Sequence, residues 1–227
     1  MYAGIDGCKV GWICVRVEGN QPLFNLAKRI EDMEYIVSNR LSLIDIPIGL
    51  AESSIRVCDS QAHKLLRPKR HNSVFVTPIR DAVYAESYKE ACEANYKATG
   101  KKISKQAWSI SKKVREIDAF KKLFPEIALR ESHPEVCFWA LNGGIPCEYP
   151  KKTDKGIKER LDILENELSG IRQMIISYCE ATQKKCVGID DVIDASVLAV
   201  IAMREGDLKT LGNTEKDRNG LLMEIVY

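Results

Sequence analysis

The 227 residues carry 45% hydrophobic and 29% charged side chains, a soluble globular balance with length enough for one α/β domain plus an insertion, or two small domains. No apolar stretch approaches the ~20 residues that cross a bilayer, no charged segment followed by an apolar one opens the chain, and the eight cysteines include no C-x-x-C pair. These features argue against membrane-spanning helices, disulfide frameworks and zinc ribbons, and they predict a cytoplasmic protein with reduced, mostly buried thiols. The net charge of +2 hides a segregation: residues 60 to 125 hold 15 Lys or Arg against 6 Asp or Glu, a formal +9, which leaves −7 on the remainder.

Three strands are predicted first. Tyr2 to Asp6 is an apolar run ended by Gly7, Gly11 to Val17 sets Ile13, Val15 and Val17 on one face, and Leu23 to Ala27 follows the turn-like Gly19-Asn20-Gln21-Pro22. They read as an antiparallel meander. A short helix near Glu31 to Val37 leads to Leu41 to Ile46, whose continuous apolar character fits a strand buried on both faces, ended by Pro47.

From Ile48 to Pro125 the pattern is helical and basic. Tyr84, Tyr88, Cys92 and Tyr96 recur every four residues, and Ile103, Ala107, Ile110, Val114, Ile117 and Phe120 form a second stripe with Ser104 as N-cap. A further strand is expected over Leu129 to Leu141, interrupted by Pro134. Helices follow over Lys155 to Thr182, in two pieces broken at Ser169-Gly170, and over Ile189 to Arg204, before a terminal apolar run from Leu221 to Tyr227. A mixed sheet flanked by helices accommodates this order.

Acidic residues in or beside apolar runs are the functional signal, because a carboxylate that leaves water needs a donor, a cation or a metal. Asp6 ends the first strand and Asp45 interrupts Leu43-Ile44-Asp45-Ile46. Asp191 and Asp194, three apart, share one face of a helix that opens after Gly188 and continues as Ala195-Ser196-Val197-Leu198. Each has a structural alternative: Asp6 as a turn residue, Asp45 as the partner of an arginine, and Asp191 or Asp194 as first-turn carboxylates favoured by the helix dipole. Convergence of strand and helix carboxylates would hold Mg²⁺ or Mn²⁺, and two such ions about 3.5–4 Å apart can clamp both the attacking and leaving oxygens of a phosphodiester. Glu131 is an auxiliary ligand or water-positioning candidate, and His133, on the same strand face, a candidate proton mover; Asp190 is a second choice. In the basic segment, Lys64, Arg67, Lys69, Arg70 and Arg80 are candidate phosphate contacts, with Phe75, Tyr84, Tyr88 or Trp108 as stacking surfaces. Lysines such as Lys101, Lys102, Lys112 and Lys113 equally fit a solvated helix face.

The ordered motifs resemble a known family. They are Gly4-Ile5-Asp6-Gly7-Cys8-Lys9-Val10-Gly11-Trp12, Ile44-Asp45-Ile46-Pro47-Ile48-Gly49-Leu50, Arg56-Val57-Cys58-Asp59, and Ser73-Val74-Phe75 with Pro78 and Arg80. Then come Glu131-Ser132-His133-Pro134-Glu135, Lys152-Thr153 with Gly156 and Arg160, and Asp190-Asp191 with Asp194-Ala195. Over nearly its whole length the chain is similar to the family of domain of unknown function 429, described as predicted RNase H-like nucleases. The resemblance implies one RNase H-like domain over 1–227 with a basic helical insertion at 51–127, and a sheet that joins the antiparallel meander to parallel strands. It implies a catalytic set of Asp6, Asp45, Asp191, Asp194 and Glu131, with the four aspartates as ligands to Mg²⁺ or Mn²⁺; Asp191 and Asp194-Ala195 resemble the paired aspartates on the closing helix of Holliday-junction resolvases. Arg56, Lys69, Arg70, Arg80 and His133 are the implied substrate contacts. The expected activity is metal-dependent phosphodiester hydrolysis of DNA, RNA or a smaller phosphodiester, with no membrane partner and with a homodimer left open. Two alternatives stand beside it: a non-catalytic nucleic-acid- or phosphoester-binding module, and an actin-like ATP-binding protein, against which Gly7-Cys8-Lys9-Val10-Gly11 lacks a hydroxyl-bearing phosphate loop.

Overall fold

The computed structural model describes residues 1–33 and 39–227, and it divides into two compact units. The first unit takes Met1–Asp45, Glu126–Lys209 and Val226–Tyr227; the second takes Ile46–Pro125 and Thr210–Ile225.

The first unit is built on a five-stranded mixed sheet. Strands β1 (Tyr2–Cys8), β2 (Gly11–Glu18) and β3 (Gln21–Ala27) form the antiparallel meander, and β4 (Leu41–Ile44) and β5 (Leu129–Glu131) add parallel to β1, giving the order β3-β2-β1-β4-β5. The α/β mixed sheet with flanking helices is consistent with an RNase H-like description. The centre of the sheet is dry: Ala3, Ile5, Ile13, Val15, Leu43 and Ile44 have no exposed surface, as expected of strands covered on both faces. Of the helix expected near Glu31 to Val37, Ile30–Asp32 is a single 3-10 turn, and residues 34–37 lie outside the described residues.

The second unit contains α1 (Val57–Leu65), α2 (Arg80–Tyr84), α3 (Tyr88–Thr99), α4 (Lys105–Leu123) and the hairpin β6 (Thr210–Lys216) and β7 (Leu222–Val226), whose last residue belongs to the first unit. Ser104 caps α4 by accepting from the Ala107 N–H at 3.0 Å. Ile79, Ala82, Ala91, Cys92 and Ile103 form a small core on which Tyr88 and Trp108 pack.

Back in the first unit, one element departs from expectation. The predicted strand Leu129 to Leu141 ends at Glu131, and Pro134 opens a helix, α5 (Pro134–Leu141). Proline has no N–H to lose at the first helical position, where its fixed φ is already suitable, so it starts this helix rather than interrupting a strand. Next come α6 (Asp154–Glu167) and α7 (Ile171–Ala181), separated at Ser169-Gly170, and then α8 (Ile189–Ala202). Residues Val192 to Ala202 of α8 are all buried, so this helix is a core element with no solvated face beyond its first turn. All eight cysteines of the chain are unbridged and six are buried. Among the described residues, no helix is long and apolar enough to cross a membrane.

Candidate metal centre

The centre forms where α8 crosses β1, and Gly4 permits that crossing. A Cβ at residue 4 would stand 2.0 Å from the Ala195 carbonyl oxygen and 2.3 Å from the Ala199 nitrogen, so only glycine lets the helix backbone lie on the strand. Side chains alternate along a strand, which puts Asp6 on the face occupied by the helix, two residues beyond the crossing. Asp194 precedes Ala195 on the helix and meets it there. Asp45 follows the last residue of β4: its N–H donates to the Ile5 carbonyl at 3.0 Å, continuing the parallel ladder by one step and setting Asp45 beside Asp6.

Asp6, Asp45 and Asp194 each offer a carboxylate oxygen, and these oxygens lie within 4.8 Å of one another. Asp6 is 7% exposed and Asp194 1%. Burial, followed by the charges of Asp45 and Asp194, pushes the Asp6 carboxyl well above the usual range. Asp194 is raised to about 6, chiefly by burial, against the pull of Lys151. Asp45 is raised by burial and by Glu135, with His133 and Lys151 opposing. Three crowded carboxylates that resist ionisation in the absence of a cation are a donor set suited to a hard, oxygen-seeking ion.

Asp191 does not join those three oxygens. It occupies the first turn of α8, where its Oδ2 accepts from the Gly188 N–H at 3.1 Å, and its carboxyl is raised mainly by burial. Asp190 lies 3.7 Å from the Lys152 ammonium. Glu131, 4% exposed, ends β5 in register with Ile44, and it is not part of the converging set. His133 is the N-cap residue of α5 and lowers the Asp45 carboxyl through its charge.

Sequence inspection passes over Lys151. Its ammonium donates to Asp194 Oδ2, and although burial would lower its pKa, Asp194, Asp6 and Asp45 reverse that and hold it charged. The loop that carries it is pinned from several sides. Thr153 caps α6 by accepting from the Gly156 N–H at 3.1 Å, and its hydroxyl donates to the Pro150 carbonyl at 2.9 Å. A Cβ at Gly156 would stand 2.0 Å from that same carbonyl oxygen. Arg160 donates to the Tyr149 carbonyl at 3.1 Å and to Glu135 Oε1 at 2.5 Å. The sequence signal for Lys151 therefore lies in its neighbours, Lys152-Thr153, Gly156 and Arg160.

The candidate substrate contacts of the basic segment belong to the second unit. Arg56 is buried, with Nη2 donating to Asp59 Oδ1 at 2.6 Å and Nη1 to the Ile48 and Gly49 carbonyls at 3.1 Å each. Arg80, 1% exposed, pairs with Asp118 at 2.8 Å, with Asp217, and with Glu52 at 3.3 Å. Burial raises the Asp118 carboxyl, but bonds from Arg80, Tyr84 and Lys122 override it and bring the pKa down to about 2. Lys69 is exposed and Arg70 partly buried.

Comparisons with curated proteins and with solved structures return no match. A family model described as protein of unknown function (DUF429) matches residues 4–216, and the chain belongs to that family.

Proposed function

We propose that the chain is a divalent-metal-dependent phosphodiester hydrolase acting on nucleic acid or a smaller phosphodiester. The observation that carries this reading is the convergence of Asp6, Asp45 and Asp194 from two strand ends and a helix. An all-oxygen donor set fits Mg²⁺ or Mn²⁺ better than zinc, which prefers nitrogen and sulfur ligands. Asp6, Asp45 and Asp194 would hold the ion. When bound, it would polarise a phosphate oxygen and favour ionisation of water at neutral pH.

The chain's own groups divide the remaining tasks. Asp6 and Asp194, almost without solvent, fix the ligand geometry, and the Asp45 side chain, only partly buried, is the more accessible edge of the set. Asp191 holds the first turn of α8 closed and so keeps Asp194 at its depth. His133, electrostatically coupled to Asp45, is the group suited to carry a proton to or from the reacting oxygen. The +9 of residues 60 to 125 favours a polyanion, with the exposed Lys64, Arg67 and Lys69 as its contacts in preference to the internally paired Arg56 and Arg80.

A cleavage screen in Mn²⁺ across structured and unstructured nucleic acids and small phosphodiesters tests the proposal. The wild-type chain should cut at least one class, and Asp6→Ala and Asp45→Ala should not. Equal cutting by both variants overturns the mechanism. Salt-sensitive binding that survives Asp6→Ala and chelation, without cleavage, assigns the chain to the binding-module alternative instead.

A further inference from the structure

The ammonium of Lys151 already stands at the carboxylate cluster. It reaches Asp194 Oδ2 from a loop whose placement is over-determined by Thr153, Gly156 and Arg160, and about a third of its side-chain surface remains exposed. A lysine tethered this way is a fixed counter-ion.

Among the neighbouring charges, Glu135 pairs with Arg160 at 2.5 Å and Asp190 with Lys152 at 3.7 Å, while Asp191, whose Oδ2 accepts from the Gly188 amide at the start of α8, keeps its charge. Within the converging set itself, three carboxylates stand against one ammonium. One divalent ion brings that set to zero; a second would make it two charges positive, only one of which Asp191 can offset, in a site where two of the three ligands are almost fully buried, and burying unbalanced charge is costly. Lys151 also occupies Asp194 Oδ2, an oxygen that would otherwise be open to a second ion. We infer that this site takes a single divalent cation, with the Lys151 ammonium serving as its second positive charge in place of a second ion. The inference rests on the proposed metal reading of Asp6, Asp45 and Asp194, and it departs from the pair of ions that the carboxylate count alone allows.

With an ion held by the three aspartates, Lys151 would offer a bound phosphate a point charge with three donors. Its removal should convert the site. Asp194 Oδ2 becomes available, and Glu135, whose charge acts on Asp194 and whose buried Oε2 has no hydrogen-bond partner among the described residues, adds to the pull on a second cation.

Mn²⁺ titration of the metal-free full chain, by calorimetry for the count and by electron paramagnetic resonance for spin coupling between ions, tests this. The wild type should bind one Mn²⁺ per chain with no coupled spectrum, Lys151→Met two with a coupled spectrum, and Lys151→Arg one. Two coupled ions in the wild type overturn the inference whether or not Lys151→Met folds. A single ion in Lys151→Met overturns it as well, since the lysine then excludes nothing. Asp6→Asn should lose the ion that the wild type holds, which ties the count to the cluster. Failure of the wild type to bind Mn²⁺ at all overturns both this inference and the proposed hydrolase, whereas a wild type that binds two ions leaves the hydrolase standing.

Discussion

A carboxylate held away from water prefers its proton, and this preference gives the metal-free protein a pH signature. The Asp194 carboxyl is raised from 3.8 to about 6 in the folded chain, so between those values the folded state binds more protons than the unfolded state, and stability falls as pH rises. Asp6 and Asp45 act in the same direction. Metal-free thermal melts should therefore show this contribution in full below about pH 4 and lost above about pH 6 to 7. Asp194→Asn should flatten this profile, so that the metal-free variant loses less stability than the wild type between about pH 4 and pH 8. Asp6→Asn should act in the same sense. Addition of Mn²⁺ should raise the wild-type melting temperature and leave that of Asp6→Asn unchanged. An Asp194→Asn protein whose stability falls with pH as steeply as the wild type's would contradict this account of the buried charge. Arg160 behaves in the opposite way: Arg160→Met strands Glu135 in the interior and should cost about 3–5 kcal/mol in denaturant unfolding.

The crossing of α8 over β1 depends on a single missing methyl group. Gly4→Ala forces a methyl group into the Ala195 carbonyl, and the expected cost is about 3 kcal/mol, with a weaker Mn²⁺-induced rise in melting temperature because Asp194 is lifted away from Asp6. If Gly4→Ala melts like the wild type, the helix does not rest on the strand as described. Much of this architecture is legible in the sequence because strands and helices with a buried face advertise their period. The meander, β4, the Ser104 cap and the break at Ser169-Gly170 all follow local rules. Helix α5 escapes those rules because its residues are mostly apolar, so no stripe distinguishes helix from strand and Pro134 looks like an interruption. Strand β6 escapes them too, because Thr210–Lys216 is mostly polar and exposed. Among the site residues, Asp6, Asp45 and Asp194 stand out as charges in apolar runs. Lys151 does not, because a loop lysine looks like any surface lysine until a partner 43 residues away is known. Arg80 is similarly opaque: the guanidinium is visible in the sequence, but its partners Asp118 and Asp217 are a matter of tertiary structure.

Charge is distributed over the molecule by segment rather than evenly, with +9 in residues 60 to 125 and −7 elsewhere. If a polyanion is the substrate, its affinity should fall steeply with salt, and Lys64→Glu with Lys69→Glu should lower the slope of log K against log salt by roughly 1–2. An unchanged slope in a filter-binding or anisotropy series would remove these lysines from the contact surface. The chain also weaves between its two units, leaving the first at Asp45 and returning at Glu126. The ligands brought together by the Gly4 crossing thus come from the first strand, the end of β4 and the last helix, and no short amino-terminal fragment contains them all. During synthesis, Asp6 and Asp45 emerge well before Asp194 and lack a third oxygen until α8 has been made and has docked. On the proposed reading, a growing chain is thereby kept inert beside the ribosome's own RNA until the docking of α8 supplies the last ligand.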